Sequence, residues 1–194
     1  MDDPLFNWTA DVDHINNVNE RKDKLYKNNR WCFGWLVVNR SQGVAIGVKD
    51  NDKLVGCMTI TPSSRTNIGF VSILRTIMKL GIPPLYKSKR LAAQADALPK
   101  ARDRIMKEYK RWIYLQCIGV HSSAVGKGHG KKLLQFLIQT ADSLNVPLYL
   151  ETESESNESL YKHFGFRTAE KIYLCAKNDT VKQPMWLMIK DAKV

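Results

Sequence analysis

Polar positions dominate residues 11–30, and Val12, Ile15, Val18, Lys22, Leu25 and Tyr26 form a thin apolar stripe at helical spacing, which predicts a surface helix. Two short β-branched runs, 43–48 and 54–60, flank Asp50-Asn51-Asp52-Lys53, residues suited to a tight turn. An antiparallel hairpin is expected there. The apolar run 34–38 just before it is too short to distinguish a strand from the end of the preceding helix.

From 66 to 111 the spacing is helical, with Ile68, Val71, Ile73, Leu74, Ile77 and Met78, then Leu91, Ala95, Leu98, Ile105, Met106 and Tyr109, interleaved with basic residues and broken at 81–84 by Gly-Ile-Pro-Pro. The almost uncharged run 112–120 reads as a central strand buried on both faces. After a glycine-rich turn, 131–144 places Leu133, Leu134, Leu137, Ile138 and Ala141 on one helical face, and 146–150 returns as a buried strand. Strand, turn, helix and strand make a βαβ crossover. A short helix at 158–164 and strands at 167–176 and 184–189 complete an α/β (α+β) chain with a mixed sheet, read as one domain over 1–194.

Composition supports a packed domain: 44% of the 194 residues are hydrophobic, with five Trp and seven Tyr. The formal charge of +11 suits nucleic acid, a membrane surface or an acidic small molecule, so its distribution decides more than its sum. Residues 64–111 hold twelve Lys or Arg against three Asp or Glu, whereas 1–63 are neutral and 112–194 carry only +2. That segment has no groove-reading or base-stacking motif, which argues against nucleic acid. Cys32, Cys57, Cys117 and Cys175 form no CxxC pair and read as reduced core thiols, and His14, His129 and His163 suggest surface or structural roles, not a metal site. The N-terminus shows no basic-then-apolar leader, and no stretch approaches the roughly 18 uncharged apolar residues of a membrane span. The expectation is a soluble, cytoplasmic protein with no membrane partner.

The chemistry concentrates in Gly126-Lys127-Gly128-His129-Gly130, between a strand and a helix. Such a turn presents backbone N–H groups at a helix N-terminus, where the dipole favours negative charge, and glycine permits the backbone to approach phosphate oxygens closely. Lys127, Lys131 and Lys132 add attraction. The turn lacks the trailing Lys-Ser/Thr of a P-loop, and the usual dinucleotide carboxylate is matched only imperfectly by Glu151.

Ile118-Gly119-Val120, followed after five residues by Gly126-Lys127-Gly128-His129-Gly130-Lys131, resembles the R/Q-x-x-G-x-G/A acetyl-CoA motif of the GNAT superfamily of N-acetyltransferases. Downstream, Leu148-Tyr149-Leu150-Glu151-Thr152 and Asn157-x-x-x-Tyr161-x-x-x-Gly165-Phe166 resemble the second half of that fold. The resemblance covers about 43–190, is strongest over 112–166, and is nearest the puromycin-acetyltransferase-like branch. It implies a βαβ acetyl-CoA-binding core over 112–166, flanked by helices, with the basic segment 64–111 lying over the acceptor side. By the same resemblance, backbone groups of Ile118, Gly119 and Val120 pair with the pantetheine arm, and Gly126, Lys127, Gly128, His129, Gly130 and Lys131 bind the pyrophosphate. Asn157 holds the pantetheine side, and Tyr161 both lies against the cofactor and protonates the departing thiolate.

The chain departs from the family pattern in places. Val125 replaces Arg or Gln, Ser122 stands where proline is frequent, and Gln116 replaces the central-strand Glu of many relatives. Glu151 is then the foremost candidate base, ahead of Glu153 and His121. The family's first strand has no evident counterpart, so either it is missing or the irregular opening replaces it. The implied reaction is acetyl transfer to a primary amine, on a small molecule first and on a protein or peptide second. A CoA-binding protein without turnover is the rival, and a homodimer is left open.

Overall fold

The computed structural model describes residues 3–10, 12, 15–38, 43–66, 70–82 and 88–193. The chain opens with helix α1 (Pro4–Ala10), started by Asp3, whose Oδ1 accepts the Phe6 N–H at 2.9 Å. Proline suits the first helical position because its missing N–H would have no partner there. Among the described residues before 44 the chain is helical and carries no strand, so the opening that reads as irregular in sequence forms α1.

Helix α2 (Val18–Val38) begins seven residues later than the periodicity suggested and absorbs 34–38, which resolves the open choice in favour of helix. Of the expected stripe in this helix, Leu25 is buried while Val18, Lys22 and Tyr26 face solvent. Strands β1 (Val44–Asp50) and β2 (Lys53–Pro62) form the expected hairpin. Asn51 and Asp52 both take positive φ, 48° and 63°, which suits the twist of a two-residue hairpin turn.

Helices α3 (Phe70–Leu80) and α4 (Lys89–Ile105) confirm two helical pieces, although Met106 and Tyr109 lie beyond the second. Ser88 caps α4 by accepting the Leu91 N–H at 3.2 Å. Ile68, Pro83 and Pro84, like His14 and the Cys32 side chain, lie outside the described residues.

Strand β3 (Ile113–Val120) leads into helix α5 (His129–Ser143), which starts two residues earlier than expected, and β4 (Leu148–Thr152) lies parallel to β3. Helix α6 (Glu155–His163) starts three residues early because Ser154 Oγ accepts the Asn157 N–H at 3.3 Å. Strands β5 (Arg167–Leu174) and β6 (Gln183–Lys190) complete a six-stranded mixed sheet in the order β1-β2-β3-β4-β6-β5.

The sheet buries both faces. On one, Leu133, Leu134 and Leu137 of α5 pack on Met58, Leu115 and Leu150; on the other, Trp8 of α1 and Leu98 of α4 cover Tyr149 and Leu187. Full burial of each such side chain contributes roughly 1.5–3 kcal/mol, so α5 is held by its leucine face more than by intrinsic propensity. The cysteines correct an expectation: among the described side chains Cys57 and Cys175 are exposed and Cys117 is half-buried, because Cys57 lies on the face of β2 opposite the buried Met58 and Cys175 lies just past the end of β5.

Candidate functional site

Strand β3 changes character halfway along. Ile113, Tyr114 and Leu115 pair with Leu148, Tyr149 and Leu150, and there the pairing with β4 ends. On the other side, β2 stays paired as far as Gly56 opposite Val120. Residues 116–120 therefore keep one backbone edge without a strand. The expectation of burial on both faces holds only for the first half: Gln116 and Gly119 are exposed, and Cys117, Ile118 and Val120 are partly buried.

A bulge accompanies this splay. Thr59 lies opposite Cys117 and Ile60 opposite Leu115, so Gln116 is an extra residue on β3. The inserted residue inverts the alternation, turning Ile118 and Val120 toward α5 and Cys117 toward the opposite face. Gln116 Oε1 accepts the Thr61 hydroxyl proton at 2.8 Å.

The free edge runs directly into the glycine turn. Gly126 and Gly128 take φ of +82° and +80°, and no atom lies within 4 Å of where their Cβ atoms would be. The N–H groups of Gly126, Gly128, His129, Gly130 and Lys131 have no backbone partner among the described residues, and the first N–H bonded back into the turn is that of Lys132, to Gly128 O at 3.0 Å. Lys127, Lys131 and Lys132 are exposed beside them. Strand edge, unpaired amides, open space and cationic rim match an elongated ligand with a pantetheine-like arm and a pyrophosphate, so these residues fit CoA. Val125, in place of the motif's Arg or Gln, is exposed in the same turn.

His129 is buried at 6% exposure, structural and not on the surface, while His163 is exposed. His129 Nε2 lies 3.6 Å from Asp50 Oδ2, and neither ring nitrogen of His129 has a hydrogen-bond partner among the described residues.

The proposed acid and base stand apart. Tyr161 belongs to the α5-side core, edge-on to Phe166 at 5.7 Å between ring centroids. Burial raises its hydroxyl pKa above the ordinary phenol range, with further upward pushes from Glu153 and Cys117. Glu151 alternates with Leu150 and so faces the α4 side. Tyr114 donates to its Oε2 and Tyr149 donates to its Oε1 at 3.0 Å. Burial raises the Glu151 pKa, and the two tyrosines and Arg102 oppose that rise. Arg102 of α4 in turn lies over the Tyr114 ring, 5.7 Å from its centroid.

Glu153, just past β4, is the group that Asn157 holds: Nδ2 donates to Glu153 Oε1 at 2.8 Å. Burial raises its pKa, and Asp3 at the start of α1 raises it further. Asp3 is likewise raised by burial, and the Cys117 thiol is pushed up to about 12, chiefly by burial. Cys117, Glu153 and Tyr161 thus influence one another where β3 and β4 part, and Thr59 Oγ1, opposite Cys117, is buried without a partner. Sequence reasoning missed Asp3, Cys117 and Thr59. An Asp-Pro helix start was visible for the first; only strand register places the other two. Among the described residues no group of three His, Cys, Asp or Glu is arranged for a metal ion, and no helix is long and apolar enough to cross a membrane.

Residues 5–166 match the family model described as acetyltransferase (GNAT) family. An uncharacterized N-acetyltransferase of Schizosaccharomyces pombe is 37% identical over 78 residues, 40% of this chain and 31% of the relative, so the similarity spans about a third of that protein. Among solved structures, histone acetyltransferase HPA2 and related acetyltransferase from Corynebacterium glutamicum superposes with a TM-score of 0.58 at 21% identity, over 97% of this chain and 92% of that one. Arylalkylamine N-acetyltransferase 2 from Aedes aegypti gives 0.59 at 15% identity, over 99% and 88%. These two likenesses speak to the fold.

Proposed function

The chain belongs to the acetyltransferase (GNAT) family, and from that premise we propose that it transfers an acetyl group from acetyl-CoA to a primary amine of a small molecule. One observation carries the reading: the unpaired edge of β3 at 116–120 leads straight into the open, amide-rich turn that starts α5. Acetyl-CoA supplies an acetyl thioester open to attack by an amine nitrogen.

The chain's own groups do the rest. Ile118, Gly119 and Val120 offer backbone groups along the free edge, as a neighbouring strand would use them. Gly126 through Lys131 bind the pyrophosphate with N–H groups and the helix dipole. Tyr161, a phenol that is protonated at neutral pH, holds a proton for the departing thiolate sulfur. Asn157 acts through Glu153, by fixing its carboxylate.

Two carboxylates are the candidates to take the amine's proton. Glu151 is the first, with a pKa raised by burial and its orientation set by Tyr114 and Tyr149. Glu153 is the second, favoured by its electrostatic coupling to Tyr161. Asp3 acts electrostatically on Glu153, and wherever either carboxylate is ionised it attracts a positive charge, which favours a cationic amine as acceptor. The motif resemblance to the puromycin-acetyltransferase-like branch points the same way. Titrating acetyl-CoA by calorimetry, then assaying thiol release with small amines and with peptides, tests the proposal: small amines should turn over faster than peptides, and the reverse order would reject the small-molecule acceptor.

A further inference from the structure

Helix α3 is built inside out. Its inward side carries Thr76, fully buried, and Leu80, which meets Gly34 of α2. Its outward side carries Phe70, Val71, Leu74, Ile77 and Met78, which follow one another at i, i+1, i+4, i+7 and i+8 and so form one continuous stripe. Phe70 is 77% exposed, Val71 68% and Met78 72%. A surface helix of a soluble domain normally turns that stripe inward. Scattered exposed hydrophobics need no explanation, but a full helical face of them marks an interaction surface.

The charge around the stripe selects the partner. Between Asp52 and Asp96 the chain contains no acidic residue and seven Lys or Arg. Arg75 and Lys79 lie on α3 itself, exposed at the rim of the stripe. An apolar stripe with a cationic rim on a helix too short to span is the pattern of a helix lying in the plane of a membrane interface, where apolar side chains enter the headgroup boundary and cations meet anionic lipids. Self-association fits less well. A two-fold contact would place the stripe against its own copy and bring Arg75 and Lys79 of both copies together without any acidic residue in the segment to offset them.

We propose that the outward face of α3 docks this protein onto an anionic lipid surface, Phe70, Leu74 and Met78 entering the headgroup layer and Arg75 and Lys79 meeting the lipid charge. This docking runs against the sequence-based expectation of no membrane partner, gives the basic segment a use that the transferase reading does not supply, and stands independently of that reading.

The test is flotation of the full chain with vesicles of equimolar phosphatidylserine and phosphatidylcholine, beside vesicles of phosphatidylcholine alone. Binding to the mixed vesicles and weak binding to the neutral ones is expected. Arg75→Gln and Lys79→Gln should each weaken it roughly fivefold, since each cation near such a surface multiplies affinity by about five. The double variant Phe70→Asp with Met78→Asp should abolish flotation while retaining the wild-type circular dichroism spectrum and acetyl-CoA affinity. Flotation of that folded double variant at the wild-type level would overturn the proposal. So would equal binding to neutral vesicles, absence of binding to both, or a dimer seen by sedimentation equilibrium that dissociates on the same substitutions without any vesicle binding.

Discussion

Leu115 is the last residue of β3 to pair with β4, through Leu150, and the next five residues run on with that backbone edge unpaired. The bulge at Gln116 follows at once and turns Ile118 and Val120 to the α5 side. Splay, bulge and glycine turn form one continuous surface. The proposed cofactor site is therefore mostly backbone, which explains how it tolerates Val125 where the motif carries a side-chain donor.

The glycine turn can be dissected by substituting Gly128. Its φ of +80° disfavours any β-branched residue, although there is room for a Cβ. Gly128→Val should reduce acetyl-CoA affinity at least tenfold by calorimetry. Gly128→Asn tolerates the left-handed conformation and separates two causes: retained affinity means that the backbone conformation is what matters, and lost affinity means that the phosphate needs the space.

Tyr161→Phe keeps the ring packed edge-on to Phe166 and removes only the hydroxyl. Turnover should fall by about 10²- to 10⁴-fold, the usual worth of a positioned proton donor, with acetyl-CoA affinity changed little. Unchanged turnover would remove Tyr161 from the acid role.

Glu151 and Glu153 are separable by pH. Both pKa values are raised, so each carboxylate becomes a competent base only above the ordinary carboxylate range, and kcat/KM should rise with pH through that limb. Loss of the limb in Glu151→Gln but not in Glu153→Gln assigns the base to Glu151, and the opposite assigns it to Glu153. Stability follows the same sign: a raised folded-state pKa favours folding most below the unfolded value and loses that contribution as pH rises. Glu151→Gln should therefore gain stability relative to wild type between acidic and mildly alkaline pH in denaturant titrations.

Arg90 and Asp179 tie α4 to the loop between β5 and β6, at 2.6 Å, and Arg90 also stacks over Trp8. The guanidinium holds the Asp179 pKa below the usual aspartate range. Its contribution is present above the unfolded pKa and is lost as pH falls through the folded one. Asp179→Asn should lower the melting temperature at pH 7, and the gap from wild type should narrow on acidification.

Periodicity made the hairpin, the βαβ unit and the leucine face of α5 legible, because each satisfies a local pattern that tertiary packing reinforces. Boundaries slipped where single caps decide them: Ser154 starts α6 early, and Asp3 with Pro4 turns an opening that looked irregular into a helix. The strand-to-helix setting of the glycine turn was readable because its spacing is local, and the same local spacing made Tyr161 and Asn157 candidates. The bulge was not, since Gln116 differs from its neighbours only through register with a strand some 55 residues away in sequence. For the same reason the exposure of Cys57 and the electrostatic influence of Asp3 on Glu153 had no signature in the chain.

The central claim, acetyl transfer from acetyl-CoA, is tested most directly by following thiol release from acetyl-CoA across a panel of primary amines, with Tyr161→Phe assayed in parallel. The account predicts amine-dependent release by the wild-type protein, with acetylated amine formed in equal amount and release strongly reduced in the variant. Tight acetyl-CoA binding with no amine-dependent release across the panel would contradict it.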